Sequence, residues 1–510
     1  MKSRVIVNRN YLVDKIDNRI YSGFVEHLGR AVYEGIYQPG HPSADEDGFR
    51  RDVIELIREL DMPLTRYPGG NFVSGYNWED GVGPREQRPA RLDLAWKALE
   101  PNLFGTDEFM KWCRKANTAP MMAVNLGTRG AAEAQQLVEY CNFPGGTALS
   151  DQRRRNGAEQ PYGVKVWCLG NEMDGPWQTG HRTADEYGRT ALEAAKMMKW
   201  TDPSIELVVC GSSHAGMPTL GEWESKVLDH TYDLVDYLSI HHYFGNRCDT
   251  TPGYLAQAES MSDFIDRIVA CCDFVRTRRK SQKRIMLSFD EWNVWFHSNG
   301  KEVESPEWSV ARPLLEDVYT MEDALLVGML LMTLINHADR VKIACLAQSV
   351  NVIAPIMTEK NGKAWRQTTF HPFALTSRYG RGTALRTVVD SPCYDAEYRH
   401  DTASLPVNCR EIPYLYCACV HNTGRDEVVL FAVNRNLSEA MELELKLEDF
   451  DPVSVLEHES ISHPDLKAVN SAAEEKVRPV KLAGATLEKN TLKTVLPAAS
   501  WNMIRISIEK

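Results

Sequence analysis

Two glutamates stand at matching places in two separate stretches of this chain. Glu172 follows the apolar run 164–169 in Gly170-Asn171-Glu172, just ahead of the loop Met173-Asp174-Gly175-Pro176-Trp177. Glu291 follows a second run, 285–289, in Asp290-Glu291-Trp292-Asn293. A strand that ends on a carboxylate and opens into a Gly/Pro/Trp loop places an acid at a pocket mouth. Two such strands suggest two facing carboxylates, the working parts of glycoside hydrolysis. One strand-end glutamate is equally well explained as a solvated residue. Two, each set beside Asn and Trp, are not.

The elements that must hold these residues follow from periodicity. Strand-like runs fall at 20–24, 64–67, 119–125, 164–169, 205–210, 235–240, 285–289 and 341–346. Helical patterns lie between them. Phe49, Val53, Leu56, Ile57 and Leu60 share one helical face. Thr183 and Glu186 form a capping-box pattern ahead of Tyr187, Ala191, Ala194, Ala195 and Met198. Further helical patterns cover 106–116, 131–141, 221–229, 261–279 and 321–337. Eight strands alternating with helices predict an α/β fold of the (β/α)8 TIM-barrel type. A doubly wound open sheet is the rival, but no strand is followed by Gly-x-Gly-x-x-Gly or by a phosphate loop.

In such a barrel the catalytic groups gather at the C-terminal ends of the strands. The polar residues expected there are Glu26, His27, Arg66, Asn71, Asn171, Glu172, His241, His242, Tyr243, Asp290, Glu291 and Gln348. Carboxylates, amides, His and Tyr on one rim suit a sugar, whose every hydroxyl needs a donor or acceptor. Trp78, Trp96, Trp177, Trp292 and Trp295 lie near the same ends, and sugar C–H faces stack on such rings. Any one of them can equally be loop or barrel packing.

After about residue 380 the pattern changes. The run 441–448 alternates with period two, a half-buried strand. Runs 414–420 and 427–433 flank a hairpin turn, and 491–495 and 501–508 give further strands. This predicts a C-terminal antiparallel β-sandwich, jelly-roll-like. The mostly polar stretch 460–481 reads as loop. The expected division is a barrel at 15–382 and an accessory domain made of 1–14 with 383–510.

With 510 residues the chain is long enough for such a barrel plus a second domain. A net charge of −12 argues against general nucleic-acid binding and against an anionic membrane surface. No apolar stretch reaches the ~20 residues of a membrane span. The N-terminus lacks the apolar core of a secretory signal. The twelve cysteines lie mostly in apolar runs without zinc spacing, so they read as reduced core residues of a cytoplasmic protein. No metal site is expected.

Longer strings carry a resemblance to a known family. They are Glu26-His27-Leu28-Gly29-Arg30, Arg66-Tyr67-Pro68-Gly69-Gly70-Asn71-Phe72, Trp78-Glu79-Asp80-Gly81-Val82-Gly83-Pro84, Gly170-Asn171-Glu172, Asp290-Glu291-Trp292 and Ala347-Gln348. Over nearly its whole length the chain resembles the α-L-arabinofuranosidases of glycoside hydrolase family 51. The resemblance implies the same barrel and sandwich, with the strand near Val5–Val7 joining the sandwich. It implies exo-acting, retaining release of terminal arabinofuranosyl residues from arabinan or arabinoxylan oligosaccharides, no cofactor, and an intracellular homo-oligomer, usually a hexamer. By position it implies Glu172 as general acid/base and Glu291 as nucleophile. Glu26, Asn71, Asn171, Tyr243 and Gln348 resemble sugar ligands, His241 the residue near the acid/base, Arg66 the support of the nucleophile, and Trp96 and Trp295 the pocket walls. His242 is given no role, and Asp290 reads as a strand-end partner.

These roles set electrostatic expectations. Glu172 must start protonated, so its surroundings should raise its pKa, while Glu291 must start ionised beside donors such as Arg66. Other readings on the same residues are a β-xylosidase or endoglucanase on this scaffold, or a sugar-binding protein without catalysis.

Overall fold

The structure is a computed structural model that describes residues 1–299, 306–399 and 407–509. Eight parallel strands close into a barrel: Ser22–Phe24, Leu64–Tyr67, Ala119–Ala123, Val166–Leu169, Glu206–Cys210, Tyr237–Phe244, Met286–Val294 and Val341–Ala347. Each pairs with its sequence neighbours, and the eighth pairs with the first through Cys345↔Ser22 and Ala347↔Phe24. All eight expected strands are present, so the open-sheet rival is excluded. The barrel interior is filled by Phe24, Leu64, Met121, Val166, Cys168, Val208, Ile343 and Cys345. That filling explains why several cysteines sit in apolar runs. All twelve are free thiols, eight of them buried; Cys393 is exposed, contrary to a purely core reading.

The strand limits differ where the chemistry is. The sixth and seventh strands run on past the expected ends at 240 and 289, because they keep pairing through Glu291↔His241, Asn293↔Tyr243 and Val294↔Phe244. The register slips between Ser288 and Glu291. Such a bulge re-aims side chains locally. Here it leaves Asp290 wholly buried in the barrel and Glu291 facing the cavity.

Outside the barrel, Thr183 caps the helix Ala184–Thr201 as expected; Glu186 Oε2 accepts from the Thr183 main-chain N–H at 3.0 Å. The helix expected at 261–279 starts earlier, at Thr251, with Pro252 in its first turn. Two helices not expected, Ala148–Arg155 and Phe370–Tyr379, are short and only weakly patterned.

Ten of the accessory strands form one sheet whose first strand is Lys2–Lys15, while Cys393–Tyr398 and Val407–Pro413 pair as a separate two-stranded sheet. That strand pairs antiparallel with Thr383–Asp390 and parallel with Met441–Glu448, so the sheet is mixed at this one junction. The sheet folds back on itself: His458 and Thr494, on strands near its opposite ends, share a hydrogen bond of 3.2 Å. Within it, Val5, Leu430, Leu443, Leu445, Leu492 and Ile504 form a core of their own. Strand Glu427–Asn434 is buried on both faces. Val428, Leu430 and Ala432 face that core, while Val429, Phe431 and Val433 join the barrel's. The partner on the barrel side is helix Met321–Asn336, apolar around its circumference, as a helix buried on all sides must be.

Candidate active site

The cavity at the C-terminal end of the barrel has a volume of about 370 Å³. Glu26, Asn71, Trp96, Glu172, Tyr243, Glu291, Trp295 and Gln348 all line it. Asn171, His241 and Arg66 are buried directly behind these residues. Every site residue expected from the sequence is therefore brought to one place.

Arg66 organises the centre. Its Nη1 donates to Glu291 Oε1 at 2.7 Å and its Nη2 to Asn171 Oδ1 at 2.7 Å, while Nε lies 3.5 Å from Asp290 Oδ2. Asn171 also donates to Gln178 Oε1 at 3.3 Å, so its amide is held from both sides. Tyr243 donates to the other oxygen of Glu291 at 2.7 Å. Asp290 is more than a strand-end residue. It accepts from Ser239 and lies 3.3 Å from His241 Nε2, and Arg66 and His241 hold it below the usual carboxylate range against the opposing effect of burial.

Glu172 sits in the left-handed region, at φ 44°, after Gly170 at φ 90°. A non-glycine residue held there is strained, and such strain clusters at functional positions. Its Oε1 is 2.9 Å from His241 Nδ1, and its Oε2 accepts from Trp177 Nε1 at 2.6 Å. Burial pushes this carboxyl up, but the hydrogen bonds from His241 and Trp177 outweigh it and hold Glu172 low. The expectation that the surroundings of Glu172 raise its pKa is thus overturned for the open site. The proton lies instead on His241. Burial opposes its charge, but Glu291, Asp290 and Glu172 together raise it to about 10.

Glu26 forms a second polar corner. It accepts from the Phe72 N–H at 2.9 Å and from Trp96 Nε1 at 3.0 Å, and its own N–H donates to Gln348 Oε1 at 2.9 Å. Burial first, and the charge of Glu291 second, raise its carboxyl to about 8. Gly70 makes room for it: a Cβ there would stand 2.3 Å from Glu26 Oε2.

Of the five tryptophans near strand ends, Trp96, Trp177 and Trp295 line the cavity, whereas Trp78 and Trp292 are buried packing. Trp295 meets Tyr243 edge-on at 5.4 Å. His242, given no role from sequence, also borders the cavity. The sequence reading missed Ser213, His214, Leu28, Leu315 and Ile353 as lining residues. Leu28 lies in the string Glu26-His27-Leu28-Gly29-Arg30 but was given no role; the other four come from stretches without a motif. Trp177 was visible five residues after Glu172, but its bond to that carboxylate was not.

Glu172, His241 and Glu291 each offer a ligand atom within 4.8 Å of the others, a spacing that could hold a metal ion. Arg66 already supplies the cation at Glu291, and Trp177 and His241 occupy both oxygens of Glu172. The donor set thus suits charge transfer between organic groups better than metal ligation. Asp45, Glu46 and Asp47, a second acidic group, close on Lys115 at 2.7, 2.9 and 2.8 Å.

Comparison with known proteins agrees with this geometry. Residues 56–260 match the α-L-arabinofuranosidase 1 domain, and residues 290–500 the α-L-arabinofuranosidase C-terminal domain. The chain is 54% identical over 505 residues to intracellular exo-α-(1→5)-L-arabinofuranosidase 1 of Bacillus subtilis (strain 168), covering 99% of both chains. It is 53% identical over 509 residues, again 99% of both, to the intracellular exo-α-(1→5)-L-arabinofuranosidase of Acetivibrio thermocellus. Among solved structures, a family 51 α-L-arabinofuranosidase from Bifidobacterium longum superposes with a TM-score of 0.92 at 42% identity, covering 99% of both chains. Fold, site and comparisons together establish that this chain belongs to the α-L-arabinofuranosidases of glycoside hydrolase family 51.

Proposed function

We propose that this protein is an exo-acting, retaining glycoside hydrolase that releases terminal α-L-arabinofuranosyl residues from arabinan or arabinoxylan oligosaccharides. One observation carries the reading. Glu172 and Glu291 come from different strands, and an oxygen of each lies within 4.8 Å of the other and of His241, in a polar cavity walled by tryptophan. Retaining enzymes hold their two carboxyl groups ~5–5.5 Å apart, close enough for direct attack on the sugar, whereas inverting ones leave room for water. The names of the relatives, exo-α-(1→5)-L-arabinofuranosidases, supply the substrate class.

Glu291, held by Arg66 and Tyr243, attacks the anomeric carbon and forms the glycosyl-enzyme bond as the leaving oxygen departs. Glu172 protonates that oxygen. The proton is stored on His241 and reaches the leaving oxygen through Glu172. Glu291 is the strongest of the charges that keep the proton on His241, and bond formation removes that charge, so attack itself releases the proton. In the second step Glu172 draws a proton from water, which displaces the sugar from Glu291. Glu26, Asn71 and Gln348 bind sugar hydroxyls, and Trp96 and Trp295 bound the ring. Asn171 is positioned to accept or donate at the hydroxyl beside the reacting carbon. No cofactor takes part in these steps.

The same reading places the protein in the cytoplasm, as the word "intracellular" in its relatives' names suggests. It also makes the protein a homo-oligomer, a hexamer by family resemblance. Exposed Tyr11, Leu12, Val388 and Val389 on two paired strands offer apolar surface for assembly.

The test is Glu172→Ala. An activated aryl group leaves without a proton; a sugar alcohol does not. Single-turnover glycosylation should fall ~10²–10⁴-fold more on an arabino-oligosaccharide than on a dinitrophenyl arabinofuranoside. Azide, which needs no base, should restore turnover and give the α-arabinofuranosyl azide. Equal losses on both substrates with no rescue would remove Glu172 from the acid role.

A further inference from the structure

The two tryptophan walls of the cavity share a feature that no catalytic role requires. Each is carried on a turn held by a buried aspartate that accepts main-chain N–H groups. Asp317 is fully buried in the segment ahead of helix Met321–Asn336. Its Oδ2 accepts from Phe296 N at 3.0 Å and His297 N at 2.9 Å, and its Oδ1 accepts from Ser298 N at 2.9 Å. These are the three residues directly after Trp295. Asp93 is nine-tenths buried on the short strand Arg91–Asp93. Its Oδ1 accepts from Ala95 N at 3.0 Å, and the Trp96 N–H also bonds the carboxylate. The other oxygen of Asp93 has no hydrogen-bond partner among the described residues, so the turn is what this carboxylate serves. Burying a carboxylate is costly unless its charge is taken up by donors. Both carboxylates are buried behind the walls, and the main-chain donors that reach them belong to the turns that carry the rings.

We infer that Asp317 and Asp93 are positioning residues for the sugar pocket: each locks the turn that carries one tryptophan, Trp295 or Trp96, and together they set the width available to the sugar ring. The inference deepens the proposed function and rests on the pocket assignment made there. Neither aspartate touches the reacting atoms. Trp96 is held at its other end by the Nε1 bond to Glu26, so Asp93 and Glu26 fix the ring from two sides. The Trp96 turn is also stitched to the approach to Asp317, through Trp308 N to Lys97 O at 2.8 Å and Leu99 N to Ser309 O at 3.2 Å. Asp317 also fixes the next stretch of wall, because Gln367 Nε2 donates to its carbonyl at 2.8 Å while Leu315 O accepts from Ile353 N at 2.8 Å.

The consequence is a change in selectivity and binding before any change in chemistry. Asp317→Asn keeps the volume but loses one of two accepting oxygens, whereas Asp93 uses Oδ1 alone and needs Asp93→Ala to remove its acceptor from the turn. On 4-nitrophenyl α-L-arabinofuranoside each should raise KM about tenfold with a smaller fall in kcat. The preference over 4-nitrophenyl β-D-xylopyranoside should shrink by a similar factor, the scale at which a misfitting pocket discriminates. A general loss of stability would not split KM from kcat. Double-mutant cycles then ask whether each aspartate works through its ring. Adding Asp317→Asn to Trp295→Ala, or Asp93→Ala to Trp96→Ala, should cost almost nothing further in kcat/KM. Folded Asp317→Asn and Asp93→Ala variants with unchanged selectivity, or fully additive losses in both cycles, would overturn the inference. If Asp317→Asn fails to fold, the Asp93 cycle, on a turn at the protein surface, still decides. A parent enzyme that prefers another glycoside would overturn the proposed substrate instead, and the same cycles run on that glycoside would still decide the roles of the aspartates.

Discussion

Glu26 keeps its proton to about pH 8, because burial opposes its charge and Glu291 repels it. The unfolded chain gives up the same proton near the ordinary value of 4.5. Between these two pH values the folded state binds the extra proton, so its stability falls as pH rises. Glu26→Gln has no proton to lose and should remove this slope. The difference in unfolding free energy between the two proteins should shift in favour of the variant by on the order of 2–4 kcal/mol from pH 4.5 to 8. Urea titrations at several pH values give it directly, and parallel curves for the two proteins would contradict the assignment. The same neutral carboxyl explains how Glu26 can face Glu291 across the pocket without holding a second negative charge there.

At the scale of elements, the site depends on close approaches and a slipped register. Gly70, at φ −12° and ψ −142°, precedes the short helical turn Asn71–Gly75 and leaves room for the Glu26 carboxyl. Gly70→Ala would drive its methyl into that carboxyl. The expected result is a loss of ~10²-fold in kcat/KM, the scale of a small misplacement in an active site. Thermal unfolding should change little, because the residue lies at the cavity wall. A normal kcat/KM in the purified variant would show that the loop shifts freely and that Glu26 is not held in place. The register slip in the seventh strand matters similarly. Unbroken alternation would send Asp290 and Glu291 to opposite faces of the sheet. The slip lets one serve the barrel interior and the other the cavity.

Across the whole molecule, the accessory sheet contributes packing to the barrel, and the residues proposed for catalysis all precede residue 350. Trp501 lies so close to helix Met321–Asn336 that a Cβ on Gly328 would stand 2.3 Å from its ring. Thr333 and Tyr416 share a hydrogen bond of 2.7 Å, and Asn336 Nδ2 donates to Cys417 O at 3.1 Å. We propose the division into 15–382 and 1–14 with 383–510 on this basis: two cores, one shared seam. Trp501→Ala should cost about 3–5 kcal/mol of stability through the cavity it leaves. The kcat of the folded fraction should not change. Calorimetry together with activity below the transition checks both halves, and a fall in kcat with stability intact would mean that the sheet reaches the site.

The sequence by itself determined the barrel, the accessory sheet and which polar residues gather at one end of the barrel. Strand periodicity is local, and strings such as Gly170-Asn171-Glu172 and Arg66-Tyr67-Pro68-Gly69-Gly70-Asn71 leave little freedom in where their side chains go. It did not determine the strand ends at Phe244 and Val294, since only pairing between the sixth and seventh strands keeps polar residues in the sheet. The place of the catalytic proton was equally hidden. The acid/base role implied by the resemblance argues for a protonated Glu172, but the 2.9 Å contact with His241, itself surrounded by Asp290 and Glu291, moves the proton to the imidazole. That balance is a sum over charges from three strands far apart in sequence. The same holds for Asp317 and Asp93, ordinary loop acids in the sequence. Only the tertiary structure decides that their carboxylates turn inward, because the donors they satisfy are main-chain groups, which carry no sequence signature.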